Sequence, residues 1–460
     1  MKTLTSVILA AGAGTRMKSK TPKVVHKVCG KPMVEHVIDV LEAVDCTHNV
    51  AVVGHGKDIV QQALNHRTVD YVVQEDQLGT AHAVMMAEAH LPEEGDVLIL
   101  CGDTPLLTEE AVGGLIDFHR QGGYQGSLMT THVEDPAGYG RILRGPEGQV
   151  VGIVEHKDAT DDQRVINEIN PAVYIFDAKL LKDALQRIGN DNAQGEFYLP
   201  DVVGIFSQDG RALGGYAVED YEQMLGINSR RQLAEAELIM RKRIVEKHMD
   251  NGVTFIDPNH VTIEKHVTIG CDTVVYSGTL LTGETSIGED CVIGPDARIE
   301  NGSIGNGVEV RNSTILNSSV GDETTVGPYA YIRPGSNVGA RCKIGDFVEV
   351  KNSTLGNGSK VSHLAYIGDG DVGENVNIGC GAVFVNYDGT NKHRTTVEDG
   401  AFVGCNVNLV APVTVEKGAY VAAGSTVTMN VPADGLGVAR ARQRNIEGWV
   451  TRRNKSKNPK

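Results

Sequence analysis

Hydrophobic and polar positions alternate with different periods in the two halves of the chain. From Ser6 to about Asp103, short β-branched runs alternate with stretches whose apolar residues recur at helical spacing. The predicted strands are SVILA, NVAVVG, DYVVQ and DVLILCGD, and the predicted helices are VEHVIDVLEAV, DIVQQALNH and TAHAVMMAEAH. This alternation predicts an α/β unit whose mostly parallel sheet is covered by helices.

Beyond about Asp257 the period becomes six residues. Occasional five-residue steps interrupt it, as from Ile299 to Ile304. Two runs keep the period without a slip: Val320, Val326, Ile332, Val338, Ile344, Val350, and then Val397, Val403, Leu409, Val415, Val421, Val427. A fixed period of this length predicts a β-solenoid of hexapeptide repeats, with one inward aliphatic side chain per short strand. A β-sandwich would need a period of two instead.

A charged segment separates the two halves. It runs from Ser229 to His248 without Gly or Pro, and it predicts one helix of about 30 Å. Its charges fall on most faces, which favours a rigid spacer over a core helix of the first half. We therefore predict a first domain at 1–228, a linker helix at 229–249, and a β-helix domain with a basic tail at 250–460.

Charge and cysteine usage exclude several classes of protein. The 460 residues include 43 Lys and Arg against 59 Asp and Glu, for a formal net charge of −16. This balance argues against nucleic-acid binding, which needs a basic face. No apolar run approaches the ~20 residues of a membrane span, and the eight cysteines form no CxxC pair. We expect a cytoplasmic protein without a zinc ribbon or a disulfide framework.

The loop LAAGAGTRM, residues 9–17, follows the first predicted strand and is suited to phosphate. Its glycines let backbone N–H groups approach phosphate oxygens, and Arg16 adds charge. A basic cluster ending at Lys23 follows, and Asp103 ends a later strand at the same predicted sheet edge. The loop is neither a Walker A motif nor a dinucleotide fingerprint, which disfavours simple nucleotide hydrolysis and hydride transfer.

Together these motifs resemble a known family. The sugar-nucleotide pyrophosphorylase pattern is matched by LAAGAGTRM, Pro22-Lys23, Gln74, Leu78-Gly79-Thr80, Gly102-Asp103, GYGR (138–141), VEHKDAT (154–160) and Glu168-Ile169-Asn170. The second half adds His363, Tyr366, NVNIG (375–379) and NYDG (386–389). From about Ser6 to Trp449 the chain resembles the bifunctional bacterial enzymes that make UDP-N-acetylglucosamine. The resemblance implies a Rossmann-like nucleotide-diphospho-sugar transferase domain followed by a left-handed parallel β-helix.

For the first domain, the resemblance implies that N-acetylglucosamine 1-phosphate attacks the α-phosphorus of UTP and releases pyrophosphate. The family uses Mg²⁺, whose ligands map to Asp103 and Asn228, while Arg16 and Lys23 would steady the phosphates. The other substrate-binding positions would be Leu9, Ala10, Ala11, Gly12, Gln74, Gly79, Thr80 and Gly102 for the nucleotide, and Gly140, Glu155 and Asn170 for the sugar. Taken alone, Asp103 is equally well a structural strand-end carboxylate, and Asn228 a helix N-cap.

For the second domain, the resemblance implies that acetyl-CoA acetylates the amine of glucosamine 1-phosphate. An ammonium has no lone pair, so a base must remove a proton, and His363 is the candidate. It follows the inward Val361 by two positions and should point outward, where a lone histidine is ordinarily just solvated. Glu349, about one coil earlier, is expected to orient the imidazole. The substrate-binding residues would be Arg333, Lys351, Tyr366 and Asn377.

An insertion interrupts the six-residue period after Val383. The step to Val397 takes 14 residues and contains NYDGTNKHRTT, a polar and basic loop suited to covering CoA, although a tolerated surface loop is the alternative. By resemblance, the CoA slot would be lined by Cys380, Asn386, Tyr387, Cys405, Ala423 and Arg440. The tail from Arg440 to Lys460 carries eight Lys or Arg against one Glu, which ordinarily indicates a disordered, solvated segment.

Several residues depart from the family pattern. Cys101 stands where Tyr is common, Cys380 and Cys405 replace the usual Ala and Ser, and Pro171 follows Asn170. The cysteines predict partial inactivation by alkylating reagents and protection by substrates. Pro171 removes a backbone donor near the sugar site and weakens the assignment of Asn170.

Two other functions stay open at this point. The first domain alone would also suit a glucose or mannose 1-phosphate nucleotidyltransferase, and the β-helix alone could be an assembly scaffold. The long repeat region with His363 and the loop insertion argues against a passive scaffold. The family forms homotrimers and supplies precursors for peptidoglycan and lipopolysaccharide, so the resemblance implies a trimer of this chain.

Overall fold

The computed structural model describes residues 3–457 and divides the chain into two compact units. These units are Met1–Arg243 and Ile244–Lys460. The division falls inside the helix Arg230–Asp250, which was predicted at Ser229 to His248. The three-part division at residues 228 and 249 stays a prediction.

The first unit is built on a ten-stranded sheet. Its parallel part has the order Asp70–Val73, His48–Val53, Leu4–Ala10, Asp96–Cys101, which confirms the predicted runs. The remaining strands are Tyr174–Asp177, Gly126–His132, Glu168–Asn170, Gly140–Arg144, Val150–Val154 and Leu213–Ala217. Most of their pairings are antiparallel, and only the last strand pairs in parallel with its neighbour. A small separate hairpin pairs Lys27–Val28 with Lys31–Pro32.

Helices cover both faces of this sheet. The adjacent residues Val7 and Ile8 point to opposite faces and belong to two different hydrophobic cores. The α-helices of the unit are Met33–Ala43, Lys57–Ala63, Thr80–Met86, Glu109–Gln121, Asp161–Arg164, Ala178–Leu185 and Asp201–Gln208. The predicted helix at 80–90 ends early and continues as a 3₁₀ turn, Glu88–His90. Across residues 3–457, no helix combines the length and apolar character needed to cross a membrane.

The second unit is a parallel β-helix. Each strand pairs in parallel with the strand one coil further on, as Val326 pairs with Ile344 and Ile344 with Val361. Every residue of the two uninterrupted six-residue runs is buried. The neighbours of Val350 on its strand face outward, as the alternation of a β-strand requires. The predicted hexapeptide solenoid is therefore confirmed.

The strands of the β-helix form two sheets. The nine-stranded sheet contains Thr268–Ile269, Ser286–Ile287, Ser303–Ile304, Ser319–Val320, Asn337–Val338, Thr354–Leu355, Gly370–Val372, Thr395–Val397 and Val413–Val415. The 19-stranded sheet contains Thr254–Phe255, Thr262–Ile263, Val274–Val275, Leu280–Thr282, Val292–Ile293, Arg298–Glu300, Glu309–Val310, Thr314–Leu316, Thr325–Val326, Tyr331–Ile332, Lys343–Lys351, Lys360–Gly368, Asn377–Ile378, Val383–Val385, Phe402–Val403, Asn408–Val410, Tyr420–Val421, Thr426–Val427 and Leu436–Gly437.

Two details of this unit differ from expectation. Phe384, not Val383, is the inward residue before the insertion, because Phe384 is fully buried and Val383 is half-buried. The step to Val397 is therefore one residue shorter than the pattern suggested. In the basic tail, Trp449–Lys457 forms a helix, in contrast to the disorder expected of such a composition. The last part of that tail, residues 458–460, lies outside the described residues.

Candidate active sites

A cavity of about 250 Å³ lies where the parallel strands of the first unit end. It brings together most of the positions predicted to bind the nucleotide: Leu9, Ala10, Ala11, Gly12, Lys23, Gln74, Gly79, Thr80 and Asp103. Val24, Gln77, Ala83 and Glu196 complete its lining and were missed from the sequence, whereas Cys101, which also lines the cavity, was expected beside the substrates. Gln77 sits three residues after Gln74 in the same turn, which is a local signal. Glu196 lies far along the chain and belongs to no recognised motif.

A tight turn at Gly79 closes one wall of this cavity. The backbone φ of Gly79 is 119°, and a Cβ there would lie 2.5 Å from the carbonyl oxygen of Phe197. The neighbouring backbone is locked, since the Phe197 N–H donates to the Leu78 carbonyl at 2.8 Å and the Ala81 N–H donates to the Phe197 carbonyl at 2.9 Å. Only glycine fits this turn, which brings Glu196 to the cavity wall.

Lys23 forms the charged centre of the cavity. Its ammonium donates to the carboxylate of Asp103 and, at 2.9 Å, to the side-chain oxygen of Asn228. Lys23 and Asp103 are each only 14% exposed. The two oxygens therefore converge on one cation, here the ammonium of Lys23.

The side chain of Asn228 does not cap the following helix. Ser229 does so, because its hydroxyl accepts from the Gln232 N–H at 3.3 Å. Asn228 contributes only its backbone N–H to this turn, which donates to the Gln232 side chain at 2.9 Å. The N-cap alternative for Asn228 is excluded, and its side-chain oxygen faces Lys23 instead.

Two predicted positions lie beside the cavity. Arg16 is exposed in the 3₁₀ turn Thr15–Met17 and is not among the lining residues. Gly102 acts through its backbone, since its N–H donates to the Leu9 carbonyl at 2.9 Å and joins two strand ends. The substrate roles of Arg16 and Gly102 stay predictions.

Cys101 lies in the cavity wall but is not a reactive thiol. Burial, together with the negative charge of Asp103, raises the pKa of Cys101 to about 12. The thiolate is the form that alkylating reagents attack. The raised pKa therefore argues against the thiol sensitivity expected at Cys101, which is half-buried like Cys380, whereas Cys405 is exposed.

The three predicted sugar-binding residues lie together in the antiparallel part of the sheet. Asn170 pairs with Gly140 across two strands, and a Cβ at Gly140 would lie 3.2 Å from a carboxylate oxygen of Glu155. Glu155 also lines a cavity of about 370 Å³ with Asp158 and Asp201. Burial raises the pKa of Glu155, and the neighbouring carboxylates of Asp158 and Asp201 raise it further.

Asn170 is held by protein groups on both sides of its amide. Its nitrogen donates to the Tyr174 hydroxyl at 2.7 Å, and its oxygen accepts from the Ala172 N–H at 3.1 Å. Asn170 is also buried. These contacts make it a structural residue of the sugar region, and direct sugar binding by Asn170 stays a prediction.

In the β-helix, His363 is exposed as expected and is oriented by a carboxylate. Its Nδ1 lies 2.6 Å from a carboxylate oxygen of Asp346. The hydrogen bond from His363 lowers the pKa of Asp346, so this carboxylate stays ionised at neutral pH. With Nδ1 turned to Asp346, the other ring nitrogen, Nε2, is the atom that can accept a proton.

The expected role of Glu349 is wrong in this structure. Glu349 accepts a hydrogen bond from Arg333 at 2.7 Å, which raises the pKa of Arg333. The register explains the difference, because Asp346 pairs with His363 whereas Glu349 pairs with Tyr366. Asp346 lies one full coil before His363, so the coil length read from the sequence could have identified it.

Basic side chains gather beside Glu349 around a buried carboxylate. Lys351 lies 3.2 Å from the carboxylate of Asp369, which also accepts from Asn386. Burial would raise the pKa of Asp369, but hydrogen bonds from Asn352, Asn386 and Lys351 outweigh it and lower the pKa. The ammonium of Lys351 lowers the pKa of Lys392, because two nearby cations repel each other. Such a pair favours an anion. Lys392, in the basic insertion, was missed.

Four of the predicted CoA residues follow His363 along one corner of the β-helix. Backbone bonds link successive coils: Gly381 N–H to Leu364 O at 2.6 Å, Asn406 N–H to Cys380 O at 2.7 Å, and Gly424 N–H to Cys405 O at 2.8 Å. The Arg440 side chain donates to the Ala423 carbonyl at 2.7 Å. We call His363, Cys380, Cys405, Ala423 and Arg440 the His363 column.

The remaining predicted residues lie elsewhere on the β-helix. Asn386 belongs to the cluster of side chains around Lys351 and Asp369. The Tyr387 hydroxyl donates to the Gly389 carbonyl at 2.6 Å. Tyr366 faces that cluster, with its hydroxyl 3.5 Å from the Asn386 amide. Asn377 is half-buried and pairs with Lys360 and Phe402. The structure thus separates the cluster around Lys351 and Asp369 from the His363 column.

Comparisons with known proteins agree with both units. Residues 6–197 match the model of the MobA-like NTP transferase domain. Residues 317–352 match the bacterial transferase hexapeptide model, and residues 394–429 match the hexapeptide repeat of succinyl-transferase. These repeats and the parallel strands are those of a left-handed parallel β-helix.

Full-length relatives share the same two-part organisation. A bifunctional protein GlmU of Alkaliphilus oremlandii is 56% identical over 450 residues, which is 98% of each chain. The proteins of the same name from Alkaliphilus metalliredigens and Clostridioides difficile are 52% and 51% identical, also over 98% of each chain.

Proposed function

The chain belongs to the bifunctional GlmU family of uridyltransferase–acetyltransferase enzymes, and from that premise we propose the substrates and residues of its two reactions. The β-helix transfers an acetyl group from acetyl-CoA to the amine of glucosamine 1-phosphate. The first unit then transfers uridylyl from UTP to N-acetylglucosamine 1-phosphate. The observation that carries this proposal is the presence of two separate charged constellations, Lys23–Asp103–Asn228 and Asp346–His363, in different compact units.

Uridylyl transfer needs positioned charge more than proton transfer. A phosphate oxygen of the sugar phosphate forms a bond to the α-phosphorus of UTP while the bond to pyrophosphate breaks. Lys23 places a positive charge in a cavity that is also lined by the backbone of Gly12 and by polar side chains such as Gln74 and Gln77. Gln74 donates to the Gly79 carbonyl at 3.1 Å, which fixes its amide for contact with the base. We assign the base and ribose to this wall and the sugar to Glu155.

The donor set at Asp103 and Asn228 fits Mg²⁺. Carboxylate and amide oxygens are the ligands that this ion accepts, and both oxygens already converge on the Lys23 ammonium. We propose that these two residues hold the ion, which neutralises phosphate charge when bound. With the ion bound, the ammonium of Lys23 would interact directly with the phosphate oxygens.

Acetyl transfer needs a base. The amine nitrogen forms a bond to the thioester carbonyl carbon, the bond to sulfur breaks, and CoA leaves as a thiolate. His363 Nε2 accepts the amine proton and returns it to the departing sulfur. Asp346 holds Nδ1 at 2.6 Å, which fixes the ring for that task. Arg333, Lys351 and Lys392 form the cation cluster that would bind the sugar phosphate.

We further propose that the β-helix assembles as a trimer. Tyr329, Phe347 and Leu364 form an outward column on successive coils and are 60%, 59% and 57% exposed. The first two rings stack with centroids 5.6 Å apart. A continuous apolar column of this kind is commonly covered by a partner, and we assign it to other copies of this chain.

The trimer is tested by sedimentation of the full chain at micromolar concentration. We expect the wild type to sediment as a trimer and Phe347→Glu to dissociate it. Tyr221→Glu changes an exposed aromatic residue of the first unit and should leave the assembly intact. A monomeric wild type would contradict the proposal.

We place both reactions in the cytoplasm. All eight cysteines are free thiols, which suits a reducing compartment. The product, UDP-N-acetylglucosamine, would supply the polymers of the cell envelope, peptidoglycan and lipopolysaccharide.

Two variants test the assignment of the reactions. The protein is incubated with glucosamine 1-phosphate, acetyl-CoA, UTP and Mg²⁺, and thiol and pyrophosphate release are measured. N-Acetylglucosamine 1-phosphate is supplied in a second assay, so that uridylyl transfer does not depend on acetylation. We expect His363→Ala to lose thiol release and Asp103→Ala to lose pyrophosphate release, each by roughly 100-fold or more.

Matched controls are His260→Ala and Asp117→Ala, which change exposed residues outside both sites. Both controls should keep both activities. If either site variant abolished both reactions while its circular dichroism stayed that of the wild type, the assignment of separate sites would be wrong.

A further inference from the structure

A group of metal-ligating side chains lies at the edge of the first unit's sheet opposite the nucleotide cavity. His48 begins the strand His48–Val53, and Asp70 begins the strand Asp70–Val73. His90 ends the 3₁₀ turn that precedes the strand Asp96–Cys101. These are the amino ends of parallel strands, whereas the nucleotide cavity lies at their carboxyl ends. The group therefore takes no part in the site already described.

The ligand atoms of these residues are close to one another. A carboxylate oxygen of Asp70 lies 2.8 Å from His48 Nε2 and 3.6 Å from His90 Nδ1. One ligand atom from each residue fits within 4.8 Å of the others, and the two ring centroids are 5.9 Å apart. The side chains are 37%, 58% and 34% exposed for His48, Asp70 and His90, so solvent ions can reach them.

These distances suit a tetrahedral metal ion. Metal–ligand bonds of ~2.0–2.2 Å place the ligand atoms of a tetrahedral site about 3.4 Å apart. The observed separations lie on both sides of that value, and small rotations of exposed side chains would equalise them. Two imidazoles with one carboxylate favour zinc and its neighbours over magnesium or calcium, which prefer oxygen ligands alone.

A simple hydrogen-bonded pair does not account for the whole group. The hydrogen bond from His48 lowers the pKa of Asp70, and this pair would need no second histidine. His90 nevertheless directs its Nδ1 toward the same carboxylate oxygen. In the part of the chain that the structure describes, no other cluster of three such residues has its ligand atoms this close.

We propose that His48, Asp70 and His90 bind one divalent transition-metal ion of the zinc class, with water as the remaining ligand. The three ligands come from segments that are distant in the sequence and meet only in the folded unit. An ion that binds only this arrangement stabilises the folded state by mass action. The site is thus a structural clamp on the edge of the sheet, separate from both reactions.

Zinc titration of the full-length protein tests this proposal. Calorimetry is run with saturating Mg²⁺, which occupies oxygen-ligand sites, and the wild type should bind one high-affinity zinc ion per chain. At a hundredfold excess of zinc over its dissociation constant, the unfolding midpoint of the first unit should rise by about 5 °C. Cobalt(II) should give the intense visible bands of a tetrahedral nitrogen–oxygen site.

Ligand variants decide whether the binding belongs to this group. His48→Gln, His90→Gln and Asp70→Asn should each weaken zinc binding by at least about tenfold and remove the thermal shift. His260→Gln removes a histidine that also lies 2.7 Å from an aspartate, Asp257. Within residues 3–457 this pair belongs to no group of three close ligand-bearing side chains, so the variant should bind zinc as the wild type does.

Pyrophosphate release measured without zinc should be unchanged in all four variants, which shows that they are folded. The proposal is overturned if the wild type binds zinc no better than His48→Gln and His90→Gln do. It is also overturned if zinc binds all variants with equal affinity but leaves the unfolding midpoint unmoved.

Discussion

The nucleotide cavity and the His363 column place their side chains by opposite means. In the first unit, Leu9, Lys23, Gln74, Asp103 and Asn228 come from separate segments and meet because strands and loops end at one edge of the sheet. In the β-helix, by contrast, neighbouring site residues lie one coil apart on a repeating scaffold.

This contrast determines which kind of substitution should reduce the activity of each site. The cavity depends on the course of the backbone, since turns such as that at Gly79 set its walls. The column depends on single side chains, because the coils beneath them are held by their own ladder of hydrogen bonds. Backbone changes should therefore damage the first site most, and side-chain changes the second.

The largest effect is expected from Asp346→Asn. An asparagine can present its N–H₂ to His363 Nδ1, which would leave Nε2 protonated and unable to accept the amine proton. We expect acetyl transfer, measured by thiol release, to fall about 100-fold, while uridylyl transfer is unchanged.

Glu349→Gln is the matched comparison for this change. It weakens the ion pair with Arg333, so the Michaelis constant for the sugar phosphate should rise more than the turnover number falls. A turnover number lowered by Glu349→Gln as strongly as by Asp346→Asn would contradict the assignment of Asp346 as the positioning residue.

The next effect is expected from Gly79→Ala. The new Cβ would lie 2.5 Å from the Phe197 carbonyl and would displace the cavity wall. We expect uridylyl transfer to fall about 10- to 100-fold, because small misplacements of positioning groups are costly, and acetyl transfer to stay at the wild-type level.

Gly204→Ala controls for the effect of adding a methyl group. Gly204 lies in the helix Asp201–Gln208, and a Cβ there would meet no atom within 4 Å. This variant should be slightly more stable, by about 0.5–1 kcal/mol, with unchanged rates. Equal losses of uridylyl transfer in both variants would show that the turn at Gly79 is not the cause.

A smaller difference is expected in thiol labelling. Cys405 is exposed in the His363 column, whereas burial raises the pKa of Cys101 to about 12. Iodoacetamide at pH 7 should label Cys405 first and partly inhibit acetyl transfer, and acetyl-CoA should slow this labelling. Peptide mass spectrometry measures both sites, and labelling of Cys101 as fast as Cys405 in the folded protein would contradict the expectation.

The smallest effect is expected from Asp388→Asn in the insertion loop. The backbone N–H of Asn391, the ring of His393 and the N–H of Thr390 donate to Asp388 and lower its pKa to about 2. Because this pKa lies below the ordinary 3.8, the carboxylate stabilises the loop fully above about pH 4 and ceases to do so as the pH falls toward 2.

Limited proteolysis and hydrogen exchange measure this loop. Trypsin should cleave after Lys392 faster in Asp388→Asn than in the wild type at neutral pH. In the wild type, exchange of the loop amides should accelerate between pH 4 and pH 2 beyond the intrinsic trend. Equal cleavage of both proteins would show that the Asp388 bonds do not order the loop.

The sequence predicted the β-helix well because its inward residues repeat. It failed where the period is interrupted: Val383 and Phe384 are both apolar, and nothing in the pattern shows which one faces inward before an insertion. Glu349 lies only approximately one coil before His363, and the pairing between coils places Asp346 beside His363 instead.

The sequence predicted the first unit less completely. The parallel strands were found, since each is a buried β-branched run. The three-residue strand Glu168–Asn170 and its antiparallel neighbours carry no comparable periodic signal. Glu196 reaches the cavity only through the fold of a distant segment, so no local motif could have identified it.

The coil-on-coil stacking of the β-helix also bears on how such a protein can change its length. A coil pairs only with the coils immediately before and after it, so the geometry between Asp346 and His363 does not depend on how many turns precede Val320. Duplication or loss of one entire turn in that region would change the length of the β-helix and leave the contact between Asp346 and His363 unchanged. Loss of a single residue at a turn can be absorbed as well, since the five-residue step from Ile299 to Ile304 leaves both side chains buried.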